Sequence, residues 1–139
     1  MTFEPGTPPA SAIGQSADDH VLATWLAEVA GRRLLEVRAE GLEGKELKDA
    51  GDAAAHELLM SLVAEHRPAD AVLSEEGKDD KARLTADRVW IIDPLDGTTN
   101  FLHGIPQFAI SIALERDGNL VAGVVYSPIA DEMYWAERG

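Results

Sequence analysis

A chain of 139 residues, 45% of them hydrophobic, is long enough for one core and not obviously for two. Twelve Lys and Arg against 25 Asp and Glu leave a formal charge of −13, and no basic patch or aromatic-interleaved basic run is present, which argues against a nucleic acid as the main partner. The chain has no cysteine, which excludes a disulfide scaffold and a thiolate metal site. No stretch approaches transmembrane length and Met1 to Ser16 lacks the features of a signal, so a cytoplasmic protein without a membrane role is expected.

Residues 1–15, with Pro5, Gly6, Pro8, Pro9 and Gly14, read as a flexible leader, and residues 16–139 as the folded unit. A first helix is expected from Ser16, with Asp19 three later as a weak capping box. Leu22, Leu26, Val29, Leu34 and Val37 recur along it at near-helical spacing, and Gly41 and Gly44 end it. A second helix is expected from near Asp52, as its N-cap, to His66, with Ala55, Leu59, Leu62 and Val63 on one face and Pro68 just beyond. From Ala69 the period shortens: Ala71-Val72-Leu73 reads as a strand entering Glu75, and Val89-Trp90-Ile91-Ile92 as a buried strand entering Asp93, with Lys78-Asp79-Asp80-Lys81 as a solvated loop between them. Gln107–Glu115, Leu120–Tyr126 and Glu132–Ala136 read as three antiparallel strands, joined at Asp117-Gly118 and at Ser127-Pro128. The fold class expected is α/β, two helices packed on a mostly antiparallel sheet. Trp90, Trp135 and Tyr126 are expected in the core. His20, His56, His66 and His103 form no two-ligand spacing and are read as structural.

The chemistry concentrates in Trp90-Ile91-Ile92-Asp93-Pro94-Leu95-Asp96-Gly97-Thr98-Thr99-Asn100. Asp93 and Asp96 stand three apart across an expected turn, where Pro94 fixes one φ and Gly97 permits a backbone geometry closed to other residues. Two carboxylates about 4 Å apart repel by roughly 4 kcal/mol at an effective dielectric of 20, so such a pair shares a proton or binds a cation. Oxygen-only donors match a hard ion such as Mg2+ better than zinc. Gly97 and Thr98 add backbone N–H groups and a hydroxyl where a phosphate could lie. The negative field of the whole chain repels a phosphate ester unless divalent cations invert the local sign. The same residues also serve as ordinary turn formers, with Asp96 in an Asx-turn.

The full string resembles the first signature of the inositol monophosphatase family, Mg2+-dependent, lithium-sensitive phosphatases. The similarity continues through Phe101, Gly104, Pro106, Phe108 and Ala109 to Leu114, and reaches back to Ser74-Glu75-Glu76-Gly77. The resemblance implies the first half of a layered α-β-α-β-α sandwich. It implies Mg2+ held by Glu75, Asp93, the carbonyl of Leu95 and Asp96, and an attacking water oriented by Glu75 and Thr98. Phosphate oxygens would be bound by Gly97 and Thr98, with Asp52 near the metals and no covalent intermediate. Glu76 is read as a solvent-facing charge. The substrate implied is a small phosphate ester, inositol monophosphate first and a 3′(2′),5′-bisphosphate nucleotide second. Residues from about Leu34 to Trp90 look closer to the branch acting on 3′-phosphoadenosine 5′-phosphate, and 99–139 to the inositol monophosphatase branch. Family members are about twice as long and carry a second signature absent here, so the chain is expected to be an N-terminal half. Such a half would turn over little alone and would form a homodimer or pair with a complementary half.

Overall fold

The computed structural model describes residues 3–13, 18–77 and 81–137. Helix α1 (Asp19–Arg38) opens at Asp18, whose side chain accepts the N–H groups of His20 and Val21 and so satisfies two of the amides a helix start leaves free. The expected cap, Ser16, lies outside the described residues, and its expected partner Asp19 instead pairs with Arg67 and Arg88. Of the stretch read as a leader, residues 3–13 lie against α1. Ala12 is fully buried in a short 3₁₀ turn, the Phe3 ring receives the Arg32 and Arg33 guanidinium groups, and Arg32 donates to the Pro5 carbonyl.

Helix α2 (Gly44–His66) starts eight residues before the expected Asp52, and Gly44 opens it rather than closing α1. The reason is a stripe of Leu47, Gly51, Ala55 and Leu59, all buried, whose every-fourth spacing extends the apolar face one and a half turns upstream. Ion pairs Lys45–Asp49 and Lys48–Asp52, each four residues apart, support the added turns. Asp52 is therefore no N-cap but a buried residue in mid-helix.

Five strands follow in spatial order β1-β2-β3-β4-β5: β1 (Ala71–Ser74), β2 (Arg88–Asp96), β3 (Ala109–Arg116), β4 (Asn119–Ser127) and β5 (Glu132–Glu137), with the short helix α3 (Thr98–Leu102) between β2 and β3. β1 runs parallel to β2, and every other neighbour is antiparallel. Asp117 and Gly118 both take positive φ in the β3–β4 hairpin, as an Asp-Gly turn of this kind requires. Of the expected Lys78–Lys81 loop, residues 78–80 lie outside the described residues.

Trp90, Ile92, Ile110, Ile112, Leu114, Val124 and Tyr126 form the buried face of the sheet, on which α1 packs over β3 and β4 and α2 over β2. The alternate residues Ile91, Ser111, Ala113, Gly123 and Val125 stay partly or wholly exposed on the other face. At the start of β2 the layers are pinned by charge: Asp70 accepts from Arg88 and from Trp90 Nε1 (2.9 Å), and Asp19 accepts from Arg67 (2.9 Å) and Arg88 (2.8 Å). Trp90 and Tyr126 are buried as expected, but Trp135 is 60% exposed. It sits on the outermost strand, with the His20 ring 4.6 Å away.

Candidate metal and phosphate site

The acidic motif does not form the expected turn; it is the last part of β2. A regular strand would point Asp93 and Asp96 to opposite faces, because side chains alternate and the two are an odd number apart. The register prevents this. Asp93 pairs with Ser111 and Asp96 with Ala109, so three steps on β2 match two on β3. The extra residue is a bulge at Pro94-Leu95, and it returns Asp96 to the face of Asp93. Leu95 turns its side chain into the core, and its N–H donates to Asp93 Oδ1 at 3.3 Å.

Glu75 reaches the same face from β1. Ser74 pairs with Ile92 on the buried side, so the next residue, Glu75, emerges opposite, beside Asp93, and its N–H donates to the Ile92 carbonyl at 3.2 Å. Glu76 points the other way, towards α2, where it is exposed at the rim of a cavity of about 270 Å³ shared with Lys48, Asp52 and His56.

The electrostatics follow from this gathering. Burial pushes the Asp93 carboxyl up to about 6, and the Glu75 and Asp96 carboxylates add to the rise; the Leu95 N–H opposes it, and Glu76 contributes the least. Asp52 Oδ2 accepts a hydrogen bond from Lys48 Nζ at 3.2 Å, while its Oδ1 is buried with no hydrogen-bond partner among the described residues. This donor set, all carboxylate oxygen with one orphaned acceptor and one carboxyl raised well above the ordinary carboxylate range, fits a hard divalent cation. Among the described residues, no three His, Asp or Glu groups stand close enough to hold an ion as they are placed; the carboxylates are gathered on one edge but not closed around a point.

After Asp96 the chain turns through Gly97, the residue before α3, at φ +86°, where an added Cβ would meet the Gln107 carbonyl at 2.9 Å. Only glycine satisfies both conditions cheaply. Thr98 then begins α3, half-buried. Asn100 Nδ2 donates to the Gln107 carbonyl at 2.6 Å and Phe101 stacks edge-on to Phe108 at 5.2 Å, which anchors α3 against the start of β3. Asp96, Gly97, Asn100 and Gln107 line a cleft of about 660 Å³ that extends to Glu132 and Tyr134.

The structure thus brings Glu75, Asp93 and Asp96 to one sheet edge with Leu95, Gly97 and Thr98 adjacent, and sets Asp52 in the neighbouring cavity with Glu76. Two contacts lay beyond the reach of sequence reasoning. Lys48 pairs with Asp52, a pairing that needs α2 to begin at Gly44 rather than near Asp52. His56 Nδ1 lies 3.0 Å from Ser74 Oγ, a pairing across 18 positions that no local pattern carries.

Comparisons with known proteins point to one family. The model of the inositol monophosphatase family matches residues 15–139. Over 88 residues the chain is 53% identical to the inositol-1-monophosphatase of Rhizobium meliloti, an alignment covering 63% of this chain and 33% of that protein. Over 99 residues it is 54% identical to the 3′-phosphoadenosine 5′-phosphate phosphatase of Mycobacterium leprae, covering 69% and 36%. The crystal structure of inositol monophosphatase II from Staphylococcus aureus MSSA476 superposes with a TM-score of 0.78 at 36% identity, covering 85% of this chain and 44% of that one. The chain spans about a third of the length of the curated relatives it matches.

Proposed function

The chain belongs to the inositol monophosphatase family, and from that premise we propose that its site serves the Mg2+-dependent hydrolysis of a small phosphate monoester by water. The observation that carries the reading is the gathering of Glu75 and Asp96 beside Asp93 on one sheet edge, where burial first and those two carboxylates next raise the Asp93 carboxyl to about 6. Such a group is a standing demand for a cation. Glu75, Asp93, Asp96 and the Leu95 carbonyl would hold Mg2+. When bound, the metal supplies charge to the phosphate oxygens and acidifies a water. Glu75 and Thr98 orient that water, Asp52 takes part from the adjacent cavity, and the N–H groups of Gly97 and Thr98 hold phosphate oxygens.

Inositol monophosphate is the first substrate choice. A 3′(2′),5′-bisphosphate nucleotide is the second, favoured by the 54% identity to a protein named 3′-phosphoadenosine 5′-phosphate phosphatase. No described helix is long and apolar enough to cross a membrane; the setting proposed is cytoplasmic. A non-catalytic reading, in which this chain pairs with a second copy or a complementary half, draws support from the exposed sheet face at Val125 and Tyr134. The deciding experiment is phosphate release with and without Mg2+, inositol 1-phosphate and 3′-phosphoadenosine 5′-phosphate side by side, on protein of verified mass. Metal-dependent release from either substrate supports the enzyme reading and names the branch. Silence with both, together with self-association, supports the assembly reading.

A further inference from the structure

The segment Ser74-Glu75-Glu76-Gly77 carries the acidic pair on a tight turn, closed by the Gly77 N–H donating to the Ser74 carbonyl at 3.1 Å. Both ends of that turn meet one side chain. The His56 ring holds Ser74 Oγ at 3.0 Å through Nδ1, and it lies so close over Gly77 that an added Cβ there would stand 2.7 Å from His56 Cε1. Ser74 is itself buried, 8% exposed, so its hydroxyl has little water to turn to, and a hydrogen bond in such a place is costly to leave unmade. His56 sits one helical turn after Asp52 on α2, which makes the helix a rigid link between the buried Asp52 carboxylate and the Glu75 turn.

We propose that His56 is a positioning residue for this site: its imidazole clamps the Ser74–Gly77 turn from both ends and thereby sets Glu75 beside Asp93. The proposal rests on the metal reading above, and it assigns the imidazole no contact with metal or substrate. Outer groups that orient a ligand typically govern metal affinity by tenfold or more. A loose turn would let Glu75 swing away from Asp93, since the like charges repel when no cation lies between them.

The test is Mn2+ binding to the full chain, followed by the EPR signal of the free ion, on wild type, His56→Ala, Ser74→Ala and the double variant. Each single variant is expected to weaken Mn2+ affinity about tenfold. The double variant should be no weaker than either, since both remove the same clamp. His56→Asn, which keeps a polar atom near the Nδ1 position, should recover to within about threefold of wild type. Val63→Ala, a cavity in the buried end of α2, controls for lost stability and should leave affinity unchanged. Wild-type affinity in both His56→Ala and Ser74→Ala overturns the clamp, as does an equal loss in Val63→Ala. Should His56→Ala fail to fold, Ser74→Ala and His56→Asn decide alone. Absence of Mn2+ binding in the wild type overturns the metal reading itself and the clamp with it, an outcome distinct from binding that the variants do not change.

Discussion

Replacing Asp93 by Asn should stabilise the metal-free protein and destabilise it relative to wild type once Mg2+ is saturating. The side chain keeps an acceptor for the Leu95 N–H but sheds the charge that burial, Glu75 and Asp96 resist. Moving a carboxyl from 3.8 to about 6 corresponds to about 3 kcal/mol at roughly 1.36 kcal/mol per tenfold of proton affinity. Asp93 is only half-buried, so solvent screening lowers the realised figure to about 1–2 kcal/mol. The sign is fixed by linkage: the native state binds this proton more tightly than the unfolded chain does, so the favourable contribution is whole below pH 3.8 and is lost as pH rises through about 6. In EDTA, the advantage of Asp93→Asn should therefore grow between about pH 4 and 6 and level off above about 7. Magnesium at a hundredfold excess over its dissociation constant adds about 2.7 kcal/mol to the wild type, so the order of stabilities reverses. Thermal or urea melts of both proteins across this pH range, with EDTA and with Mg2+, read each term. A variant less stable than wild type in EDTA at pH 7.5, or an order unchanged by Mg2+, refutes the argument.

Three further outcomes follow from the same contacts. Gly97→Ala should cost about 2 kcal/mol or more, from a positive φ and a Cβ against the Gln107 carbonyl, and it should loosen α3; urea melts and amide exchange at Phe101 check it, and a neutral result would show that the backbone there is not held. Asp19→Asn should cost about 2 kcal/mol near pH 7, because although burial raises this carboxyl, hydrogen bonds and charge from Arg88 and Arg67 hold it below the ordinary carboxylate range. Depression of this kind stabilises above the unfolded value of 3.8 and fades as pH falls through the lower native one, so the gap between variant and wild type should close as pH falls below 3.8. Trp135→Ala should cost under about 1 kcal/mol, whereas Trp90→Ala should cost about 3–5 kcal/mol, the first being exposed beside His20 and the second buried and bonded to Asp70; equal losses would place Trp135 in the core after all.

Much of this protein was written locally. The apolar run Val89 to Ile92, the periodicity of α1 and the Asp117-Gly118 hairpin each depend on neighbours within a few residues, so their elements could be read before any tertiary contact was known. The likeness of Asp93-Pro94-Leu95-Asp96-Gly97-Thr98 to a family signature is local too, and so pointed to the family. Sequence alone misjudged what depends on the far side of a contact. The start of α2 moved because Leu47 and Gly51 have partners to pack on, and that shift turned Asp52 from a cap into a buried carboxylate paired with Lys48. Trp135 was misplaced because an apolar strand residue is buried only if a layer covers it, and at the edge of the sheet it stays 60% exposed although the His20 ring lies beside it. The meeting of Asp96 with Asp93 was decided by register against β3, where one extra residue reverses a face. Alternation along a strand is visible in a sequence, but the phase between strands, which decides whether these carboxylates meet, exists only in the folded sheet.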